Sequence, residues 1–512
     1  MENRAAHPAA HPAPLIRRFG ALALALCVTL CACFACAPTG IPSGGSGDRS
    51  PVVIWPDTGD RRISATLHFV DEQGVLAPET RTVFVARDGS VIEALIAELI
   101  LGPTTPGLLP VMPDGATLLG AELSSDIVTV DIGCDMPAPD GAEAYARLQD
   151  DMLIMRMAIA NTLAELAEIQ YISVLLNSQA MWFDRLPAGP LTRSTGDSRM
   201  QKYMRSVEAD AARGTQQGMA VYTAKTQLYF SDISGTYLLP EVRDVQYYQL
   251  DYPNAILDAL LRGPDDRAIM TRLLPDQPQW FSVSTLFVYD HLALDIQCAP
   301  ELFAWFDEHD IDPYLAMGSL FMSILSYYPD LQELSCSMAG APLEKLGSRE
   351  LPSDRVYRSD FAPLVGSCFT LYLPTLDDSA MLPVFRTLGH READSSVERL
   401  RALLAGPAAG ESAAVRAVAP EGVTPESILS VSMSGNTATV TIDPAMQQAC
   451  AGMTAAEERM MVYAIVNTLT LRHDVSWVRF ALPGDIDVPV FSGHLSLSDP
   501  LMRAPSLIRP VR

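Results

Sequence analysis

The strongest constraint on the fold is one helix signal that recurs three times along the chain. Residues 90–103 place Ser90 three positions before Glu93, carry apolar side chains at three- and four-residue steps, and close with Gly102 and Pro103. Ser with Glu three residues later is a capping box, in which each side chain satisfies a backbone N–H at the helix start. Gly adopts the left-handed conformation that ends a helix, and Pro cannot continue one. The stretch therefore predicts an amphipathic helix with a defined start and end.

The same signal returns in the middle and near the end of the chain. Residues 255–264 close with Gly263 and Pro264, and residues 395–407 close with Gly406 and Pro407. An Arg precedes each Gly-Pro pair by about twenty residues, and an Asp follows it by about thirty to thirty-five. These residues are Arg81, Arg243 and Arg386, and Asp131, Asp295 and Asp443. Repetition over this distance predicts tandem domains, because the period of a solenoid is shorter.

The segments around each helix repeat in one order: a strand, an extended piece, the Gly-Pro helix, a hairpin, a long helix and a final strand. In the first copy the hairpin strands are residues 117–123 and 127–132, and their apolar and polar positions alternate as half-buried strands require. Its long helix is predicted at 144–166 and its last strand at 171–176. The pattern predicts an α/β (α+β) fold of three compact domains, each a small sheet packed against two helices.

The N-terminus has the order of an export signal. Arg17 and Arg18 precede an apolar run at 19–30 that is too short to span a membrane. The run ends in Leu30, Cys31, Ala32 and Cys33, which resembles a bacterial lipobox. On that resemblance Cys33 carries the lipid, Cys36 is the weaker candidate, and an ordinary secretory signal is the alternative. Two or more acyl chains would anchor the protein stably on the extracytoplasmic face of the cell membrane.

These signals divide the chain into seven segments. The predicted segments are a lipoprotein signal peptide (1–32), a flexible Gly-, Ser- and Pro-rich tether (33–62), domain one (63–198), a linker (199–224), domain two (225–346), a linker (347–366), and domain three with a C-terminal tail (367–512).

Composition and spacing exclude several classes of function. The formal net charge of −25 argues against a nucleic-acid partner, since phosphate binding needs a basic surface. Beyond the leader the cysteines are far apart and the histidines lack ligand spacing, so we expect no metal and no cofactor. Cys298 and Cys336 fall in or beside strands of one copy, where they would either form a disulfide or remain buried thiols.

The repeated polar residues favour structural roles. An Asp after a strand usually begins a turn, and Asp131, Asp295 and Asp443 have no second carboxylate nearby for acid–base work. The three arginines are expected in salt bridges between strands rather than as anion ligands, pairing with the Asp of their own copy if the two meet. No nucleophile motif or phosphate-binding loop appears, so the sequence predicts a protein that is not an enzyme.

Together, the lipobox and the order of elements resemble the GerMN domain of spore-formation and germination lipoproteins. The resemblance includes the Asn, Thr and Leu at 161–163 and 467–469, and a tail at 492–501. Copy two departs from it, with Ser323, Ile324 and Leu325 in place of Asn-Thr-Leu. The resemblance implies a scaffold or assembly role in sporulation, germination or envelope maintenance, with envelope or sporulation-complex proteins as partners. The alternative is a lipoprotein that binds cell-wall fragments or peptides in a cleft between domains.

The anchor assignment is testable by metabolic labelling with a fatty-acid analogue. The wild-type protein should incorporate the label, and Cys33→Ala should not, because the thioether forms on that thiol. A Cys36→Ala variant is the control and should remain labelled. Label retained by Cys33→Ala would move the modification to Cys36.

Overall fold

The computed structural model describes residues 61–86, 89–135, 140–178, 182–183, 186–187, 189–193, 215–216, 219–248, 251–288, 291–326, 331–351, 356–408, 411–472 and 474–509. All the described elements lie within one compact unit, residues 58–512. Cys33, the leader and most of the tether lie outside the described residues. Within the described part, the helices are too short or too polar to cross a membrane.

In the described part of repeat one there are two three-stranded sheets, one two-stranded sheet and two helices. Its elements are β1 (Arg61–Asp71), β2 (Leu76–Val85), α1 (Val91–Leu101), β3 (Leu108–Leu109), β4 (Thr117–Ser124), β5 (Ile127–Gly133), α2 (Ala142–Leu163), β6 (Tyr171–Leu176), β7 (Trp182–Phe183) and β8 (Leu186–Pro187). The two-stranded sheet is β7-β8. One three-stranded sheet has the strand order β2-β1-β3 and the other β4-β5-β6, in which β5 and β6 are parallel. The crossover between these parallel strands is α2, as parallel strands require.

Repeat two keeps this order and adds a helix. Its elements are β9 (Thr215–Gln216), β10 (Met219–Asp232), β11 (Leu238–Tyr248), α3 (Tyr252–Arg262), β12 (Met270–Thr271), β13 (Phe281–Val288), β14 (His291–Cys298), α4 (Pro300–Glu308), α5 (Pro313–Leu325), β15 (Leu331–Met338), β16 (Ala341–Pro342), β17 (Lys345–Leu346) and β18 (Arg349–Glu350). The following helix, α6 (Arg358–Phe361), packs on this repeat: Phe361 is fully buried and stacks on Tyr314 at 4.8 Å between ring centroids. Residues 356–366, which belong to the segment predicted as the second linker, are therefore a packed part of the structure.

Repeat three has the same two-sheet plan. Its elements are β19 (Gly366–Pro374), β20 (Met381–Gly389), α7 (His390–Asp394), α8 (Ser396–Leu404), β21 (Ile428–Ser434), β22 (Thr437–Ile442), α9 (Pro444–Cys450), α10 (Ala455–Leu469), β23 (Trp477–Leu482) and β24 (Ile486–Asp487). The α+β class predicted from the sequence is confirmed across all three repeats.

Helices α1 and α8 begin at their predicted Ser caps, whereas α3 begins at Tyr252, earlier than predicted, without a side-chain cap. Helices α1 and α3 end in a backbone conformation different from the predicted one. Ser90 accepts from the Glu93 N–H at 3.5 Å, and Ser395 accepts from Glu398 at 3.4 Å. Gly102 closes α1 with φ 87° and ψ 178°, and Gly263 closes α3 with φ 84° and ψ 176°. These angles lie in a region that is essentially restricted to glycine, rather than in the left-handed helical region predicted from the sequence. Glycine is thus required at the helix end because other residues rarely adopt these backbone angles, and not only because glycine terminates helices.

A buried hydroxyl joins the long helix of each repeat to its first strand. The Thr162 hydroxyl accepts from the His68 N–H at 3.0 Å, and Thr468 accepts from Tyr372 at 3.3 Å. In repeat two the acceptor is Ser323, which binds the Tyr229 N–H at 2.9 Å. Ser323 therefore occupies the Thr position, and the alignment of Ser323 with Asn made from the sequence was wrong by one residue. A hydroxyl is kept because an unpaired strand N–H in the core would be costly.

The C-terminal tail is bound by one buried carboxylate on α10. Glu458 is fully buried, and its two oxygens accept from four backbone N–H groups of the tail. The donors are Phe491 at 3.1 Å, Ser492 at 2.8 Å, His494 at 2.8 Å and Leu495 at 3.2 Å. Burial favours the neutral carboxyl, but these hydrogen bonds outweigh it and lower the pKa of Glu458.

Candidate functional site between the repeats

The outer face of the β4-β5-β6 sheet is the surface on which repeat one meets its neighbours. In β5, Val128, Val130 and Ile132 are fully buried in the core, so Thr129 and Asp131 point to the opposite face. On this outer face Thr129 is only 9% exposed, because repeats two and three cover it.

Repeat three contacts this face with the end of its first hairpin. The Ser125 N–H donates to the Cys368 carbonyl at 3.4 Å. His390 Nε2 lies 3.0 Å from Glu122 Oε2, and His390 Nδ1 lies 2.5 Å from the Ser367 hydroxyl. Burial favours the neutral form of Glu122, but the contact with His390 and the charge of Arg358 outweigh it and lower the pKa of the carboxyl.

A cavity of about 730 Å³ remains where the three repeats meet, and we call it the inter-repeat cleft. It is lined by Leu119, Gly120, Glu122, Thr129, Asp131, Leu175 and Ser178 of repeat one, Tyr237, Arg358, Ser359, Ala362, Pro363 and Val365 around repeat two, and Gly389, His390, Arg391 and Glu392 of repeat three. Carboxylates and guanidinium groups both face it, so it suits a ligand that carries both signs of charge.

The Ser367, His390 and Glu122 side chains form a chain of contacts that resembles a hydrolase triad in composition. Ser367 is only 3% exposed and does not line the inter-repeat cleft. A nucleophile must reach the substrate carbon, so this hydroxyl is placed to orient His390 rather than to attack. We assign these three residues to the contact between repeats one and three.

The three repeated arginines share one structural role. Each guanidinium donates to the carbonyl of the glycine that ends the Gly-Pro helix, satisfying an orphan C=O at the helix C-terminus. The distances are 2.7 Å for Arg81 and Gly102, 3.1 Å for Arg243 and Gly263, and 3.0 Å for Arg386 and Gly406. Two of the guanidinium groups also lie over buried rings, Arg81 at 5.4 Å from Phe69 and Arg243 at 5.3 Å from Phe230.

A glutamate completes this arrangement in every repeat, and we call the two side chains the arginine–glutamate clamp. The glutamate pairs with the arginine and accepts from N–H groups just after Pro103, Pro264 or Pro407. The glutamates and their donors are Glu79 with Thr104 (2.9 Å) and Thr105 (2.7 Å), Glu241 with Asp265 (2.8 Å), and Glu411 with Ala408 (2.8 Å). The arginines therefore pair with these glutamates and not with the repeated Asp residues.

The three Asp residues are not one repeated position. Asp131 and Asp295 occupy equivalent places within β5 and β14, so the prediction that they begin turns was wrong. Asp131 accepts from the Ser178 N–H at 2.9 Å and its hydroxyl at 2.7 Å, and Asp295 accepts from the Ser335 hydroxyl at 2.9 Å. Asp443 lies two positions further along the chain, just after the end of β22, and caps α9 through the Ala445 N–H at 2.7 Å.

Cys298 and Cys336 are free thiols and do not form a disulfide. Cys298 and Cys336 lie on the neighbouring parallel strands β14 and β15, with their sulfur atoms 4.0 Å apart, and both are free and buried. Contact with Cys298 and burial raise the pKa of the Cys336 thiol. Among the described residues, no group of three or more His, Cys, Asp or Glu side chains is placed to hold a metal ion.

Two regions of the chain, residues 66–181 and 370–485, match the family model Germane, described as sporulation and spore germination. These two regions of the chain are GerMN-type domains in tandem. The matched regions coincide with repeats one and three. Repeat two lies outside them, but it keeps the arginine–glutamate clamp and the helix hydroxyl of the GerMN repeats on either side.

Solved structures are also similar to parts of the chain. The tandem GerMN domains of the sporulation protein GerM from Bacillus subtilis are 12% identical, covering 58% of this chain and 99% of that one, with a TM-score of 0.21. The first GerMN domain of that protein is 16% identical over 27% and 98%, with a TM-score of 0.19. A putative lipoprotein from Clostridium perfringens is 22% identical over 24% and 78%, with a TM-score of 0.16. No curated protein matches the chain.

The clamp makes a pH-dependent contribution to stability. Burial raises the pKa of Glu79, but hydrogen bonds from Thr105 and Thr104 outweigh it and lower the pKa to about 2, below the ordinary value of 4.5. Because the folded pKa is below the unfolded one, the contribution is complete above pH 4.5 and is lost as the pH falls towards about 2. Glu79→Gln should lower the free energy of unfolding by about 1–3 kcal/mol at neutral pH.

Urea unfolding between pH 7 and pH 2 measures this difference. The wild type and Glu79→Gln should converge as the pH falls, whereas the exposed control Glu72→Gln should match the wild type throughout. A Glu79→Gln deficit that stayed constant down to pH 2 would contradict the role of the charged carboxylate.

Proposed function

We propose that this GerMN-type protein is a scaffold or assembly module for sporulation or germination, tethered to the extracytoplasmic face of the membrane by lipid on Cys33. One observation carries the proposal. The outer sheet face through which repeat one binds its neighbours recurs in repeat three, where two of its six outward side chains are exposed and four are half-buried. Repeat one uses this face to bind other repeats of the same chain. The equivalent face of repeat three can therefore bind a partner.

We call this surface the repeat-three face. Its outward side chains are Ser430, Ser432 and Ser434 on β21 and Thr437, Thr439 and Thr441 on β22. They border a cavity of about 1100 Å³ together with Leu429, Arg391, Arg472 and Arg479, and Gly89 of repeat one lines the same cavity. Leu429 is 44% exposed, and Ser430 and Ser434 are exposed. A polar face with an exposed apolar side chain is typical of a surface that binds proteins rather than nucleic acid, and the net charge of −25 supports that choice.

A pull-down from membranes of sporulating cells tests the scaffold. The tagged full-length chain should co-purify a defined set of envelope proteins. For Thr439→Arg, the recovery of some of these proteins should fall at least tenfold, because the large, positively charged side chain obstructs binding at the repeat-three face. Thr271→Arg is the matched control, since Thr271 is an exposed strand residue in repeat two. Equal recovery from the wild type and both variants would overturn the assignment of this face.

A second candidate function is binding of cell-wall fragments or peptides in the inter-repeat cleft. The observation that favours it is the presence of Glu122, Asp131, Arg358 and Arg391 around one cavity, since such fragments carry both amino and carboxyl groups. Soluble muropeptides should then bind the purified protein in calorimetric titrations, and Arg358→Gln should weaken binding by about tenfold. Absence of binding heat at millimolar ligand would eliminate this candidate.

A further inference from the structure

Both halves of the contact between repeats one and three occur a second time in the same chain. The first half is the outer face of a hairpin sheet, which is β4-β5 in repeat one and β21-β22 in repeat three. The strand registers are the same: Glu122 pairs with Thr129 as Ser432 pairs with Thr439, and Ser124 pairs with Ile127 as Ser434 pairs with Thr437. Even the bulged residue recurs, as Leu119 and Leu429.

The second half is the open end of a first hairpin, which is β19-β20 in repeat three and β1-β2 in repeat one. Ala65 pairs with Arg81 as Phe369 pairs with Arg386, so Cys368 corresponds to Ser64. By the same register, Gly389 corresponds to Phe84.

The residues at the internal contact are buried, whereas their counterparts in the second occurrence are exposed. Where repeats one and three touch, Ser124 is 3% exposed and Cys368 is 7% exposed. Their counterparts Ser434 and Ser64 are both exposed. Phe84 is 49% exposed, with the Arg62 guanidinium 5.5 Å from its ring centroid. The chain therefore presents a sheet face at repeat three and a matching hairpin end at repeat one.

We propose that the repeat-three face binds the β1-β2 hairpin end of a second copy of this chain. This inference rests on the proposed scaffold function and names the partner at its face. The face and the hairpin end are different surfaces, so successive contacts of one kind build head-to-tail chains or rings, whereas two reciprocal contacts close a two-fold dimer. Anchoring at a membrane would raise the effective concentration of the copies.

The internal contact specifies which residues should come together. In repeat one, the Ser125 N–H at the hairpin turn donates to the Cys368 carbonyl at 3.4 Å. Ser125 and its counterpart Gly435 share the same turn geometry, with φ of 55° and 58°. Ser64 of one copy should therefore lie beside Ser434 and Gly435 of the next.

Cross-linking in membranes tests this arrangement with the full-length chain. Cells would co-express two differently tagged versions, one with Ser64→Cys and the other with Ser434→Cys, and receive a short bis-maleimide. Both substitutions are nearly isosteric and at exposed positions, so the fold should be retained. A covalent heterodimer should form, and a chain carrying both substitutions should give a ladder of higher species.

The matched control pairs Ser64→Cys with Thr271→Cys, and the wild type measures background from its native cysteines. Heterodimer yield at least fivefold above both controls supports the inference. A yield equal to the controls overturns it. If cross-linking fails while Thr439→Arg still loses envelope proteins in the pull-down, the scaffold function stands and its partner is another protein; if both fail, the face is not a binding surface.

Discussion

The arginine–glutamate clamp is the interaction on which each repeat depends. It acts at the point where the Gly-Pro helix ends, and it satisfies the last carbonyl of the helix and the first N–H groups of the following loop with one ion pair. Because Arg81 and Glu79 are largely buried, removing either partner would leave an uncompensated charge in the core. The clamp thereby fixes the direction in which the chain leaves the helix towards the hairpin that forms the inter-repeat surface.

The clamp also shows how a repeat can keep an interaction while changing its residues. In repeats one and two the glutamate lies two positions before the arginine on the same strand, as Glu79 and Glu241. In repeat three Val384 stands at that position, and Glu411 from the loop after the helix supplies the carboxylate instead. Likewise, in repeat two the Ser323 hydroxyl makes the hydrogen bond that a threonine hydroxyl makes in the other repeats.

Sequence patterns predicted the elements well because local signals specify them. The strand predicted at 171–176 appears as predicted, and the hairpin strands predicted at 117–123 and 127–132 correspond to β4 and β5. The short helices α4 and α9 were missed, although Pro300 and Pro444 in their first turns are a recognisable start signal. The inter-repeat cleft could not be predicted, since its residues come from three distant segments that only tertiary packing brings together. Glu122 and His390, for example, are separated by more than half of the chain and carry no shared motif.

The anchoring of the tail by Glu458 extends the third domain beyond the region that defines its family. The Germane match ends at residue 485, yet the buried carboxylate takes its donors from residues 491–495, and Ala504 exchanges hydrogen bonds with Asn467. Arg509 then donates its backbone N–H to Met381 at the start of β20. These hydrogen bonds hold the C-terminal residues against the first part of the domain. The tail is therefore an integral part of the fold, and another protein could not detach it without opening the core.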